Sequence, residues 1–178
     1  MSCGELVETV LSEDSKTKTY RYKLLVPTSA PNIGLAIGSF DIHVDRAMPE
    51  MTHFSIAGLV DSLVFSTNTT YQVIEYFEDL LSARFPYALY KQVFVERLPD
   101  KFKSYSSMTL YDTNLLYNER VLDQGKEDKS FFTIFLLKKI FYRLKEGLIR
   151  PLGRGLGEST CTKVDLSIVA IVESDESK

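Results

Sequence analysis

The sequence predicts an α+β fold, and three observations lead to this prediction. Strand-like runs rich in Val, Thr, Tyr and Leu fill most of the first 45 residues. Apolar residues then recur at spacings of three and four from Val73 to Phe85, and a short run of β-branched and aromatic residues, Tyr90 to Val95, follows. The chain has 178 residues, of which 44% are hydrophobic and 25% charged, so its composition is that of an ordinary globular protein.

The first two runs are predicted to form an antiparallel hairpin. Glu5 to Leu11 and Thr17 to Val26 are separated by a polar turn, Ser12 to Lys16. In the second run apolar and charged residues alternate, which indicates one buried and one wet face. The buried face would carry Tyr20, Tyr22 and Leu24, and the wet face Arg21 and Lys23.

The strand pattern resumes from Ile33 to Val44, where Gly34 and Gly38 suggest bulges or a bend. The first 45 residues are therefore predicted to be the closing strands of a β-sheet domain whose beginning is missing. Met51 to Ile56 is predicted as one more strand or an extended crossing.

Two helices are predicted next. Leu59, Leu63 and Val64 lie on one side of a short helix. In the longer helix that follows, Thr69 and Gln72 fit a capping box, and Pro86 forces the end because the residue before a proline avoids the α region. The positions expected to face the core are Val73, Ile74, Phe77, Leu80, Leu81 and Phe85.

Three further runs suggest extended chain. Tyr90 to Val95 is predicted as a buried strand and Ser106 to Tyr111 as a second strand, with Thr113 to Tyr117 continuing as extended chain or a tight turn. Near the end of the chain, Val164 to Val172 is a β-like run.

Between these runs lies an apolar segment, Phe131 to Leu144, interrupted by basic residues. It is too short and too charged for a bilayer span, which needs about 20 apolar residues. An amphipathic or partner-seeking helix remains open. Residues 138–154 hold six basic residues and one acid, a local charge of +5 that can attract DNA, RNA or an acidic protein, or can form the wet side of a helix.

The net charge, the two cysteines and the first residues argue against a general nucleic-acid binder, a cysteine metal site and a secreted protein. The net charge of −3 gives no general attraction to nucleic acid. Cys3 and Cys161 have no metal-ligand or redox spacing, so reduced thiols are expected. The first residues lack the basic start and apolar run of a secretory signal, which favours an intracellular chain.

Several separated blocks together form a recognisable pattern. They are Asn32 to Asp41, Glu50 to Phe54, Ala83 to Tyr87, Tyr90 to Val95, Ser104 to Met108 and Thr113 to Leu116. In this order and with these gaps, the blocks resemble the inactive zinc-aminopeptidase-like family of TFIID subunits. The resemblance covers Glu5 to Gln124 and is not expected to continue past Gln124.

The resemblance implies a division into three parts. Residues 1–45 would end an aminopeptidase-type, β-rich amino-terminal domain, and residues 46–124 would begin a thermolysin-like, catalytically dead α/β domain. Residues 125–178 would form a divergent tail, poorly ordered or a lone amphipathic helix. Because the codons for Gln124 to Glu127 can contain a splice-donor sequence, the chain is expected to be an amino-terminal fragment, a truncated isoform or a gene model that reads into an intron.

Active aminopeptidases need a helical H-E-x-x-H motif, which sets two imidazoles on one face to bind zinc and a glutamate to activate water. This sequence contains only His43 and His53, ten residues apart, and neither has a partner at the required spacing. Zinc-dependent hydrolysis is therefore excluded on the number of ligands.

The active enzymes also carry G-A-M-E-N, whose glutamate binds the free amino group of the substrate. The approach Leu98-Pro99-Asp100 resembles the segment that precedes this motif. With Met108 aligned to the methionine, Thr109 and Leu110 occupy the glutamate and asparagine positions, and neither can carry a negative charge.

Other candidate sites are weak. The glycine-rich residues 153–157 lack the lysine of a phosphate-binding loop, and Glu75 and Glu78 have the spacing of a solvated helix face. No histidine lies near the serines Ser104, Ser106 and Ser107 in the sequence. We therefore predict no catalytic, cofactor-binding or metal-binding residue and no cofactor.

The resemblance implies a non-catalytic scaffold or interaction subunit of TFIID, a nuclear protein that acts in core-promoter recognition and in assembly of the RNA polymerase II preinitiation complex. The implied partners are other TFIID subunits and, through the complete complex, core-promoter DNA; no membrane and no small-molecule substrate are implied. The alternatives are a fragment of a zinc aminopeptidase that lacks its catalytic half and a truncated product with little independent function.

Overall fold

The computed structural model describes residues 1–13, 17–117 and, by their backbone, 162–171. Its elements confirm the predicted α+β class. The strands are β1 (Glu5–Leu11), β2 (Thr17–Thr28), β3 (Asp41–Val44), β4 (Met51–Ser55), β5 (Tyr90–Val95), β6 (Phe102–Ser104), β7 (Met108–Asp112) and β8 (Thr162–Ile171). The helices are α1 (Val60–Thr67) and α2 (Thr70–Leu81), and short 3-10 turns occupy Ala30–Asn32 and Thr113–Leu115.

A three-stranded antiparallel sheet has the order β1-β2-β8. It confirms the predicted hairpin, and Tyr22 and Leu24 of β2 are buried as their alternation predicts, while Tyr20 is half-buried. On the opposite, exposed face, Glu8 of β1 is the register partner of Arg21. Their side chains form an ion pair with an N–O distance of 3.0 Å. The predicted β-like run near the end of the chain supplies β8.

The segment predicted as a strand from Ile33 to Val44 is a strand only from Asp41, so its first part is wrong. Residues 30–36 instead contact the first residues of the chain. Ser2 Oγ donates to Gly34 O at 2.8 Å, and the Gly34 amide donates to Cys3 Sγ at 3.2 Å. A Cβ at position 34 would lie 2.4 Å from the ring of Tyr105. The segment pairs with the chain start only through an isolated antiparallel bridge between Ser2 and Leu35, so it forms no regular strand.

A five-stranded mixed sheet has the order β3-β4-β5-β7-β6. Its three central strands are parallel, and β3 and β6 pair antiparallel at the two edges. Parallel neighbours need a long connection, and α1 and α2 provide it between β4 and β5. The second predicted strand begins later than expected, at Met108, and β6 is an additional strand.

Helix α2 begins after Thr69, as predicted, but its capping contacts and its end differ from the prediction. Thr69 makes no side-chain capping bond, so the predicted capping box is wrong; the Gln72 amide donates to Tyr71 Oη instead, at 3.1 Å. The helix ends at Leu81 rather than at Pro86, because Ser82 adopts the left-handed conformation, with φ of 48°. The amides of Ser82 and Ala83 donate to Asp79 O and Glu78 O, which is the Schellman pattern of a helix end.

The core lies on both faces of the five-stranded sheet. One face packs against the helices, with Met51, Tyr90 and Phe94 among its buried residues. The other face packs against the amino-terminal residues, including Cys3, Leu24 and Ala36. The predicted core positions of α2 are confirmed for Val73, Ile74 and Phe77, whereas Leu80 is exposed and Phe85 packs from beyond the helix. No helix in the described part combines the length and apolarity needed to cross a bilayer.

Candidate functional site

A row of polar side chains crosses the helix-covered side of the five-stranded sheet. Its members are successive register partners, one on each strand: His43, His53, Gln92, Thr109 and Ser104. The three central members are almost fully buried. A buried polar group destabilises the fold unless it is hydrogen-bonded, so this row is the strongest candidate for a functional site among the described residues.

His53 forms the best-defined contact of the row. Its Nδ1 lies 2.9 Å from Gln92 Oε1, and its Nε2 lies 3.9 Å from Asp45 Oδ2. Burial lowers the pKa of His53 to about 4, against the opposing effects of the Gln92 hydrogen bond and the Asp45 carboxylate. The imidazole is therefore neutral at pH 7, and it donates from Nδ1 to the Gln92 carbonyl oxygen.

The histidine pair does not have the geometry of a zinc motif. His43 and His53 lie on the neighbouring strands β3 and β4 with ring centroids 5.9 Å apart, rather than one turn apart on a helix. Asp45 accepts hydrogen bonds from the amides of Ala47 and Met48 and so shapes the turn before β4. Within residues 1–13 and 17–117, no group of three or more His, Cys, Asp or Glu side chains is arranged to hold a metal ion.

Thr109 and Leu110, the positions predicted to replace the glutamate and asparagine of G-A-M-E-N, lie on opposite faces of β7. The Thr109 hydroxyl is buried and lies 2.9 Å from Tyr90 Oη. Leu110 is buried in the apolar cluster that contains Phe54 and Val93. Both positions therefore contribute to packing.

Ser106 and Ser107 connect the turn before β7 to the amino-terminal residues. Ser107 Oγ accepts from the Gly4 amide at 2.7 Å, and Ser106 Oγ shares a hydrogen bond with Thr28 Oγ1. Gly4 has φ of +82°, and a Cβ there would lie 2.3 Å from Lys23 O, so glycine is required. The two hydroxyls thus join the amino-terminal residues to the turn before β7.

Lys91 is a buried lysine that the sequence reasoning missed. Its Nζ donates to Ser2 O at 2.8 Å and to Gly4 O at 2.6 Å, and it lies 4.9 Å from the ring centroid of Tyr22. Burial lowers its pKa to about 8. A signal was present, because Lys91 lies in a run that was predicted to be a buried strand, and a lysine is rarely buried unless its ammonium group has partners.

A small cavity of about 130 Å³ lies between β2 and the loop that precedes β5. Its lining is Gly4, Glu5, Lys23, Leu24, Leu25, Val26, Pro86, Tyr87, Ala88, Leu89 and Ser107. Ligand pockets usually measure about 300–1,000 Å³, so this cavity is too small for a substrate of ordinary size.

Of the remaining candidate residues, Glu75 and Glu78 lie on helix α2, and the others lie outside the described residues. Glu78 accepts a hydrogen bond from the Phe85 amide at 2.7 Å, whereas Glu75 is exposed. The glycine-rich residues 153–157, the basic segment 138–154 and Cys161 lie outside the described residues.

Comparison with known proteins gives close relatives, although no family model matches the chain. "Transcription initiation factor TFIID subunit 2" of Danio rerio is 40% identical over 141 residues, which cover 79% of this chain and 12% of the relative. The protein of the same name from Drosophila melanogaster is 37% identical over 141 residues, with the same coverage. That of Gallus gallus is 41% identical over 124 residues, 70% of this chain and 11% of the relative.

Over its matched residues, the chain is similar to TFIID subunit 2 proteins at 36–41% identity. It spans about 12% of the length of the curated relatives that it matches. The relatives are named as subunits of a transcription initiation factor, which agrees with the family expected from the sequence blocks.

The match is longer than those blocks suggest. A match of 141 residues cannot fit within residues 1–124, so the similarity to TFIID subunit 2 continues past Gln124. The prediction that it ends there is wrong, because the diagnostic blocks stop earlier than the similarity does.

Proposed function

We propose that this chain is a non-catalytic scaffold and interaction module of TFIID. It would act in core-promoter recognition and in assembly of the RNA polymerase II preinitiation complex, and its place would be the nucleus. The observation that supports this most is the similarity to four curated TFIID subunit 2 proteins at 36–41% identity. The partners would be other TFIID subunits and, through the complete complex, core-promoter DNA.

The placement of the aligned motif residues supports a role without catalysis. Thr109 is buried against Tyr90, and Leu110 lies in the apolar core. An acid at either position would be cut off from solvent by packed side chains. The hydrogen bonds of this region connect neighbouring strands or connect the sheet to the amino-terminal residues. Such contacts are expected of a structural role.

The division into domains belongs to the same proposal. Residues 1–45 would end a β-rich amino-terminal domain, residues 46–124 would begin a catalytically dead aminopeptidase-like domain, and residues 125–178 would form a divergent tail. Within that tail Thr162–Ile171 is strand β8 paired with β2, rather than poorly ordered chain or a lone amphipathic helix. The mixed sheet with two crossover helices supports the second of these three parts. Because β3 pairs with β4, Asp41–Val44 contribute to that sheet as well.

Two measurements on the purified chain test the proposal. The tagged chain, incubated with nuclear extract, should enrich named TFIID subunits in quantitative mass spectrometry, and Val93→Asp, which places a charge in the core, should remove the enrichment. Fluorogenic aminoacyl substrates with added zinc should give no turnover above the same core variant. Zinc-dependent turnover would favour the aminopeptidase alternative, and no enrichment of TFIID subunits would contradict the scaffold role.

A further inference from the structure

Strand β2 is paired along both of its edges. β1 covers one edge, and β8 covers the other from Thr17, opposite Ile171, to Leu24, opposite Val164. After an irregularity the pairing ends with Thr28 opposite Thr162. Without β8, the amides and carbonyls along this edge of a 12-residue strand would be open to any other extended segment.

The residue types at the paired positions are complementary. Tyr20, Tyr22 and Leu24 of β2 are opposite apolar residues of β8, namely Ile168, Leu166 and Val164. Lys23 is the register partner of Asp165 on β8 and of Glu5 on β1, so a base stands between two acids. Apolar and opposite-charge pairs of this kind set the register of a strand against its neighbour.

The pairing of β2 with β8 is not contained in the similarity to TFIID subunit 2. From the start of β2 to the end of β8 the chain counts 155 residues, whereas the longest matches cover 141. At least one of the two strands therefore lies partly outside the matched residues.

We propose that β8 is an exchangeable strand that fills a peptide-binding edge of β2 within the same chain. The ligand of this edge is an extended segment with apolar residues at alternate positions and an acid opposite Lys23. β8 is its occupant in the free chain, and it blocks other segments of the same pattern. Such binding by strand addition uses backbone hydrogen bonds for affinity and the alternating side chains for selection.

The test uses the full chain and a synthetic peptide with the sequence of residues 162–171. Ser167→Pro removes a backbone donor in the middle of β8 and should free the edge. The labelled peptide should bind the Ser167→Pro chain at least tenfold more tightly than the wild-type chain. The matched control, Ser177→Pro, places proline outside β8 and should behave like the wild type. A peptide with the Asp165→Lys change should bind several-fold more weakly than the wild-type peptide.

Two outcomes would overturn the proposal: equal binding to the wild-type and Ser167→Pro chains, or binding to neither. If the Ser167→Pro chain does not fold, the peptide added during refolding should restore its circular dichroism spectrum, and a scrambled peptide should not. Failure of that rescue would equally contradict strand exchange. Peptide binding together with a failure to enrich TFIID subunits would overturn only the proposed function.

Discussion

The Nδ1 atom of His53 lies 2.9 Å from the Oε1 atom of Gln92 at the centre of the helix-covered sheet face. The two residues are register partners on β4 and β5, and both side chains are fully buried. Their contact satisfies one nitrogen of a neutral imidazole and one oxygen of an amide. A charged imidazole at this place would lose much of its hydration, and this makes the fold sensitive to acid.

Protonation of His53 should make the protein less stable at low pH. Its pKa is about 4 in the folded chain and about 6.5 in the unfolded chain. The folded state therefore binds fewer protons between these values, so stability is complete above pH 6.5 and falls as the pH drops toward 4. The loss should reach about 3 kcal/mol, measured by urea denaturation at several pH values.

Carboxylates titrate in the same range, so the test needs a matched pair of variants. His53→Gln should flatten the fall in unfolding free energy between pH 6.5 and 4. His43→Gln, on the edge strand, should keep most of the fall, because burial rather than His43 is the largest cause of the lowered His53 pKa. An identical slope in wild type and His53→Gln would show that other groups cause the acid sensitivity.

Deprotonation of Lys91 should make the protein more stable at alkaline pH. Its pKa is about 8 in the folded chain and about 10.5 in the unfolded chain, so the unfolded state binds more protons between these values. Stability should therefore rise from pH 8 to pH 9.5. Lys91→Met should abolish the rise and lower the unfolding free energy at pH 7 by about 2 kcal/mol, because two buried carbonyls lose their donor.

The control for this variant is Lys101→Met, which removes an exposed ammonium group. It should change the unfolding free energy at pH 7 by less than about 0.5 kcal/mol and should keep the alkaline rise. Equal effects of the two substitutions would mean that the contacts of Lys91 with Ser2 and Gly4 do not stabilise the chain.

The sequence was sufficient to predict the strands and helices whose residue pattern does not depend on distant parts of the chain. The hairpin of β1 and β2 follows from alternation on either side of a polar turn, and β5 follows from a run of β-branched and aromatic residues. The end of α2 was placed too late because Ser82 takes a left-handed conformation that serine rarely adopts. Residues 33–40 looked like strand, but their contacts with residues 1–3 cannot be read from spacing.

The buried polar row was harder to predict than the motif positions. The spacing of His43 and His53 predicted no zinc motif, but it could not predict that the two residues are neighbours, because their adjacency depends on the register of β3 against β4. Gln92 and Thr109 carry no local signal, because a single polar residue in an apolar strand also fits an edge or a turn. Pairing distant strands requires the tertiary fold, and only then do these residues form one row.

Gly4 should be intolerant of any side chain. With φ of +82°, alanine is strained, and its Cβ would also lie 2.3 Å from Lys23 O. Gly58 offers a matched comparison, since its φ is +84° but a Cβ there meets nothing within 4 Å. Gly58→Ala should cost about 1 kcal/mol of unfolding free energy, and Gly4→Ala at least about 2 kcal/mol more. Equal costs in urea denaturation would mean that the segment shifts to relieve the contact.

Restoring an acid at the aligned motif position should damage the fold and should not create activity. Thr109→Glu would bury a carboxylate beside Tyr90 in a place with no cation within the polar row, so the unfolding free energy should fall by about 3 kcal/mol or more. Asn114→Glu, at an exposed position just beyond β7, should cost less than about 0.5 kcal/mol. Both variants should remain inactive on aminoacyl substrates with zinc. A stable, folded Thr109→Glu chain would show that this face opens to solvent and would weaken the assignment of position 109 to packing.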